Sequence, residues 1–236
     1  DSVKTEATRS ESCQTMVMVL LALFFLSGAC SLVYQLIWAR MLVVAFGVST
    51  YAVSTVLTAF MAGLALGSLL FGRIVDRYGK SLLIYGLLEF GIGLFALILP
   101  VLFSGFDSIY TTLSQRTDSG TIIGLSRFGL TFFALLVPTT MMGATLPVLS
   151  KFVSGSVHGA GSGIGKLYGI NTIGAAAGCM ITAFILLPNM GTLGATYVAV
   201  VGNWIVGCVA LYLHKVTTRD VVAEVSVQSE RANGDG

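Results

Sequence analysis

The apolar run MVMVLLALFFLSGACSLVYQLIW, which extends from Met16 to Trp38, decides the class of fold. It contains no charged side chain. As an α-helix it would be about 34 Å long, which is enough to cross the roughly 30 Å hydrocarbon core of a bilayer. It follows a polar leader over residues 1–14 and is too long for the apolar core of a signal peptide. The run therefore predicts a first membrane-spanning helix.

Five further apolar runs follow along the chain. They are Tyr51–Phe71, Leu82–Phe103, Ile122–Leu149, Leu167–Leu187 and Leu193–Leu213. Of the 236 residues, 55% are hydrophobic and only 10% are charged, whereas soluble domains carry about 25% charged residues. The sequence therefore predicts an all-α integral membrane domain of six helices over residues 15–213. The polar tail, residues 214–236, is predicted to be disordered.

The basic residues predict the orientation of the chain in the membrane. With six spans, ten of the 13 lysines and arginines fall on the side that holds both chain ends. The other three are Arg40, Arg116 and Arg127. Because basic residues accumulate on the cytoplasmic side, both termini are predicted to be cytoplasmic. The net charge of +2 does not favour nucleic acid as a partner.

The segment GRIVDRYGK, residues 72–80, joins the second and third predicted helices. Its motif residues are Gly72, Asp76, Arg77, Gly79 and Lys80. It resembles the cytoplasmic loop motif of the major facilitator superfamily, with serine at the following position, where the motif has a basic residue. Glycines there permit a tight turn, and the basic residues would hold the loop at the anionic membrane face. The plainer alternative is a cytoplasmic loop in which the Asp-Arg pair occurs by chance.

A wider resemblance rests on four separated blocks that occur in order. They are SGACSLVYQLIWARML from Ser27, FGVSTYAVSTVLTAFMAGLALGSLLFGR from Phe46, PTTMMGATLPVLSKF from Pro138 and LYGINTIGAAAG from Leu167. These blocks look like the membrane domain of the bacterial fused transporter–spermidine synthase family. The resemblance implies six helices similar to one half of a facilitator fold, a bacterial inner membrane as the location, and a polyamine as the ligand of the transport alternative. The family's soluble aminopropyltransferase domain is not encoded here, so no catalytic residue, metal or cofactor is carried over, and this chain alone is not expected to be an enzyme.

Four polar residues within the predicted helices form a candidate intramembrane site. Glu89 is the acidic member, and Gln35, Asn171 and Asn203 are the others. A carboxyl group inside a membrane is costly and marks a functional candidate, so Glu89 could carry a proton or bind a cation such as a polyamine. The alternative is a protonated carboxyl group, or one bonded to a neighbouring helix. The three amides are more typical of hydrogen bonds between helices.

Small residues recur four apart in the second and fifth predicted helices. The pairs are Gly63 with Gly67, Gly165 with Gly169, and Gly174 with Gly178. Such spacing lets another backbone approach closely, and in a facilitator half these two helices face the other half. Two functions remain open. The first is a membrane module that packs through helices two and five against partner subunits or a second copy. The second is a polyamine-related transport or synthesis module.

Overall fold

A computed structural model describes the backbone of residues 2–115, 119–156 and 160–234, and most side chains between residues 15 and 218. The described chain is folded into six long helices joined by short links. They are α1 (Ser2–Phe46), α2 (Ser49–Tyr78), α3 (Ser81–Ser114), α4 (Gly120–Ser156), α5 (Ala160–Ile181) and α6 (Leu187–Gly234). A π-helical turn, Thr182–Leu186, joins α5 to α6.

Three glycines with a left-handed backbone end or interrupt these helices. Gly47 follows α1 with φ of 71°, and its N–H donates to the Val43 carbonyl oxygen over 3.0 Å. Gly79 closes α2 with φ of 64°. Gly191, with φ of 66° and ψ of −170°, breaks the helical geometry within α6. Glycine serves at all three positions because a side chain is disfavoured at positive φ.

Five helical stretches of the described chain are long and apolar enough to cross a membrane. The last of them, Gly163–Thr218, has 56 residues, and at 1.5 Å per residue it would be about 84 Å long, more than twice the thickness of a bilayer core. It contains the fifth and sixth predicted runs, which lie on the two sides of Gly191. The chain is therefore an all-α, multi-pass membrane protein with at least five candidate spans.

Helix ends differ most from the predicted bounds where the sequence is polar. The structure begins α1 at Ser2 and continues α6 to Gly234, so the described parts of the polar leader and of the tail predicted to be disordered are helical. Similarly, α3 continues to Ser114, into the polar connection predicted over residues 104–120. Extending an existing helix costs much less than starting one, and none of these three segments contains a proline that would stop it.

Helix packing in the bundle follows a repeated pattern. The main contacts pair α1 with α5, α2 with α4, and α3 with α6. If α1, α2 and α3 exchange places with α4, α5 and α6, respectively, the same three pairs result. Gly86 of α3 and Gly207 of α6 face each other at the centre of the pattern. A methyl group added to Gly86 would lie 3.1 Å from the Gly207 carbonyl oxygen, and one added to Gly207 would lie 3.2 Å from the Gly86 carbonyl oxygen.

Two pairs of glycines that were predicted to face another chain lie inside this bundle. They are Gly63 and Gly67 of α2 and Gly174 and Gly178 of α5. A methyl group at Gly63 would lie 2.5 Å from Thr139 Cβ of α4, and one at Gly174 would lie 2.8 Å from the Phe25 carbonyl carbon of α1. These four glycines therefore pack α2 against α4 and α5 against α1 within the bundle, rather than lying on a face left open for another chain.

Candidate functional site

Glu89 lies on α3 inside the bundle, and its side chain is completely buried. Ser27 of α1, which is also buried, donates a hydrogen bond from Oγ to Glu89 Oε1 over 2.5 Å. The second carboxyl oxygen, Oε2, has no hydrogen-bond partner among the residues that the structure describes. The carboxyl group therefore joins α1 to α3 through one of its two oxygens.

Further polar side chains surround the Ser27–Glu89 pair. Cys30 lies one turn after Ser27 on α1, and Tyr85 lies one turn before Glu89 on α3, and both are buried. The Tyr85 hydroxyl is close to both Ser27 and Glu89, yet it makes no well-formed hydrogen bond within the described part of the chain. Buried polar groups are normally bonded, but open ones also occur elsewhere in the described bundle, for example the Tyr34 hydroxyl and Asn203 Oδ1.

Ser27 and Tyr85 were missed by the sequence analysis. The hydrogen bond from Ser27 to Glu89 connects residues 62 positions apart, and no spacing rule within a single helix predicts such a contact. Tyr85 offered a weak signal, because residues four apart on a helix lie on the same face. Tyrosine is common in membrane helices, however. Its closeness to Glu89 indicates a polar cluster only once Ser27 of α1 is seen to pack beside both residues.

The other predicted polar residues lie on three different helices, α1, α5 and α6. Asn171 of α5 donates from Nδ2 to the Phe24 carbonyl oxygen of α1 over 3.0 Å, which is the bond between helices expected for such an amide. Gln35 is half-buried on α1, about 12 Å along the helix from Ser27 at 1.5 Å per residue. Asn203 of α6 is buried, and its Oδ1 has no partner among the described residues. Gln35 therefore lies apart from the Ser27–Glu89 pair, whereas Asn203 follows Gly202, where an added methyl group would lie 2.7 Å from Cys30 Sγ.

The loop motif divides between the end of α2 and the link to α3. Because α2 continues to Tyr78, Gly72 lies within the helix, and a methyl group there would have nothing within 4 Å. Gly79 makes the turn, with its N–H donating to the Val75 carbonyl oxygen over 3.3 Å. Arg77 is in the last turn of α2, where a cation complements the helix dipole, and Lys80 is exposed. The Asp76 side chain lies outside the described residues.

A second set of small residues lines the outward face of α5. This outer stripe of α5 consists of Gly165, Gly169, Thr172 and Ala176, and it continues to Ala183 in the π-helical turn that follows. All are exposed except Gly169, which is half-buried. A methyl group added at Gly165 or Gly169 would have nothing within 4 Å. The spacing places all five residues on one side of the helix, opposite the glycines that pack on α1.

An equivalent outer stripe occurs on α2, 111 residues earlier in the chain. It consists of Ser54, Thr58, Met61, Ala65 and Gly72, of which the first four are exposed. The same shift relates the inward glycines of α2 to those of α5. Both helices thus have an inner face that packs within the bundle and an outer stripe of mostly small residues, which on α5 is flanked by the large exposed side chains of Tyr168, Ile173 and Met180.

Arg127 of α4 is a third feature, and the sequence analysis used it only in the charge balance. Its side chain is half-buried. Its Nη1 lies 3.4 Å from the Phe46 carbonyl oxygen, and its guanidinium carbon lies 5.3 Å from the centre of the Tyr110 ring. The available signal was its place inside a long apolar stretch, because arginine within a membrane span is rare and usually functional.

Comparison of the chain with protein-family models, with curated proteins and with solved structures finds no match. The class of the protein therefore rests on its helices: it is a multi-pass, all-α membrane protein. Within the described residues, no group of three or more histidine, cysteine, aspartate or glutamate side chains could hold a metal ion.

Proposed function

We propose that this chain is a membrane assembly module that packs through the outer stripes of α2 and α5 against a matching bundle, contributed by a second copy or by a partner subunit. The single observation that carries the proposal is the open outer stripe of α5, where Gly165 and Gly169 have no neighbour within 4 Å of an added methyl group. Membrane helices associate through close packing of small residues, and this face has such residues without a partner helix in the described chain.

The proposal includes six spans arranged like one half of a facilitator-type transporter. In this arrangement Gly191 separates the fifth span from the sixth. The exchange of α1–α3 for α4–α6, which preserves the helix pairs, is the pattern expected of two three-helix repeats, and facilitator halves are built in this way. By the distribution of basic residues, both termini would lie in the cytoplasm of a bacterium whose inner membrane holds the bundle.

Association in lipid tests this function. Gly169→Leu places a large side chain on the outer stripe without a clash inside the bundle. The matched control is Gly105→Leu on α3, another exposed glycine with nothing within 4 Å of an added methyl group. We expect energy transfer between labelled chains in vesicles for the wild type and for Gly105→Leu, and its loss for Gly169→Leu. Helix content should remain unchanged in all three proteins.

Two results would count against the assembly function. One is a wild-type chain that remains monomeric in vesicles at every protein-to-lipid ratio tested. The other is equal association by wild type and Gly169→Leu, which would place the contact elsewhere on the bundle.

A second candidate function, polyamine-related or proton-coupled transport, is favoured by Glu89. Its buried carboxyl group keeps Oε2 unbonded within the described chain, as expected of a group that takes up and releases a proton or a cation. If this is the function, Glu89→Gln should abolish proton- or polyamine-coupled flux in vesicles, and Gly105→Leu, at an exposed position of the same helix, should retain it. Unchanged flux in Glu89→Gln would leave Glu89 with the structural role of joining α1 to α3.

A further inference from the structure

A cavity of about 750 Å³ lies where α1 ends and where α2 and α4 begin. Its walls include Phe46, Val48, Tyr51, Thr55, Thr121 and Phe128, and Arg127 also lines it. The volume falls within the range of roughly 300–1,000 Å³ that is typical of small-molecule sites. Aromatic and aliphatic side chains form most of the wall, with hydroxyl groups between them, so the cavity suits a molecule with both an apolar and a polar part.

Arg127 gives this cavity a positive charge. None of the described residues that line it is acidic. The carbonyl group of Phe46 and the ring of Tyr110 contact the guanidinium group, but Nε is buried without a hydrogen-bond partner in the described part of the chain. Among the described residues, the groups in contact with this half-buried cation are neutral, and an uncompensated charge is costly in a membrane. An anion in the cavity would compensate the charge.

The backbone around the cavity also contributes a partial positive charge. Two long helices, α2 and α4, begin beside the cavity at Ser49 and Gly120. The first turns of helices leave N–H groups without helical partners and carry a partial positive charge. Gly124, in the second turn of α4, leaves this wall open, because an added methyl group would have nothing within 4 Å. Arginine and two helix N-termini thus favour the same kind of ligand.

We propose that this cavity binds the phosphate group of an anionic phospholipid, with the Arg127 guanidinium group as its main donor. The planar guanidinium fork matches phosphate oxygens in a bidentate arrangement. The apolar wall would hold the glycerol and the first carbons of the acyl chains. Tyr51 and Leu125, which line the cavity, are 70% and 69% exposed, so a lipid can enter from the surface of the bundle. The assembly function proposed above is not required for this site.

Lipid retention measured by native mass spectrometry tests the site. The chain is released from a phosphatidylcholine bilayer that contains a smaller share of phosphatidylglycerol, and the bound lipids are counted. Arg127→Gln should lose one retained phosphatidylglycerol, with affinity about tenfold or more weaker, because hydrogen bonds to a charged group are lost. Arg40→Gln, which removes an exposed cation elsewhere, should retain the lipid.

Gly124→Leu provides a second variant that keeps Arg127 and its contacts. The added side chain enters the cavity without meeting a neighbour at Cβ, and it should displace the lipid while the bundle remains folded. Retention of phosphatidylglycerol in either Arg127→Gln or Gly124→Leu would overturn the proposal, as would equal loss in Arg40→Gln. Displacement of the lipid by millimolar inorganic phosphate would also overturn it, because it would identify free phosphate as the ligand.

Discussion

Substitution of Gly174 by alanine should destabilise the bundle, because α5 meets α1 backbone to backbone at this point. The added methyl group would lie against the Phe25 carbonyl oxygen, 2.8 Å from its carbonyl carbon and 3.0 Å from Phe25 Cα. Carbon atoms in good contact are about 3.5–4.0 Å apart, so the two helices must separate locally by roughly 0.5–1 Å. Backbone atoms cannot rotate away as a side chain can, so only a shift of one helix against the other relieves the clash.

The magnitude follows from three contributions. Overpacking of a close contact costs about 1–3 kcal/mol, and a backbone neighbour favours the upper half of that range. The Asn171 hydrogen bond to Phe24, at 3.0 Å and one turn away, would lengthen and lose up to about 1 kcal/mol. Alanine regains about 1 kcal/mol of helix propensity over glycine. The net loss in the free energy of unfolding should therefore be about 2 kcal/mol.

Gly169→Ala on the same helix is the matched control. Its methyl group would have nothing within 4 Å, so only the gain of up to about 1 kcal/mol in helix propensity remains. Both variants can be compared with the wild type by reversible unfolding in mixed detergent micelles, followed by circular dichroism. Equal stability of Gly174→Ala and wild type, or equal losses in the two variants, would refute the placement of inner and outer faces on α5.

Two further predictions concern the helix link and the topology. Gly79→Ala should lower the free energy of unfolding by about 1–2 kcal/mol because Gly79 has φ of 64° and the left-handed region strains a side chain. Gly72→Ala, which is helical and open, should be neutral or stabilising. Cysteines placed at Ser10 and Ser229 should resist an impermeant thiol reagent applied to intact cells, whereas one at Ser119 should react. Labelling of the two terminal positions from outside would reverse the predicted orientation.

The amino-acid sequence by itself determined that this protein lies in a lipid bilayer and where, approximately, its helices begin and end. Lipid has no groups to bond an exposed backbone, so a long apolar run such as Met16–Trp38 has few alternatives to a helix. Of the two glycines predicted to permit a turn between the second and third runs, Gly79 makes it, whereas Gly72 lies within α2. The ends of α1, α3 and α6 that lie in polar sequence were predicted less well. Extending an existing helix into a neighbouring segment costs little free energy, and hydropathy does not indicate such an extension.

Only the tertiary structure decided which face of each helix lies inside the bundle. In water an inward face is apolar and an outward face is polar, but in a membrane both the bundle interior and the lipid are apolar. The glycines at 169 and 174 of α5 therefore look alike in the sequence, although one faces outward and the other packs on α1. The Ser27–Glu89 bond and the Arg127 cavity could not be predicted for a related reason. Each is formed by helices that are distant in sequence, and the hydropathy of the chain does not indicate which helices pack together.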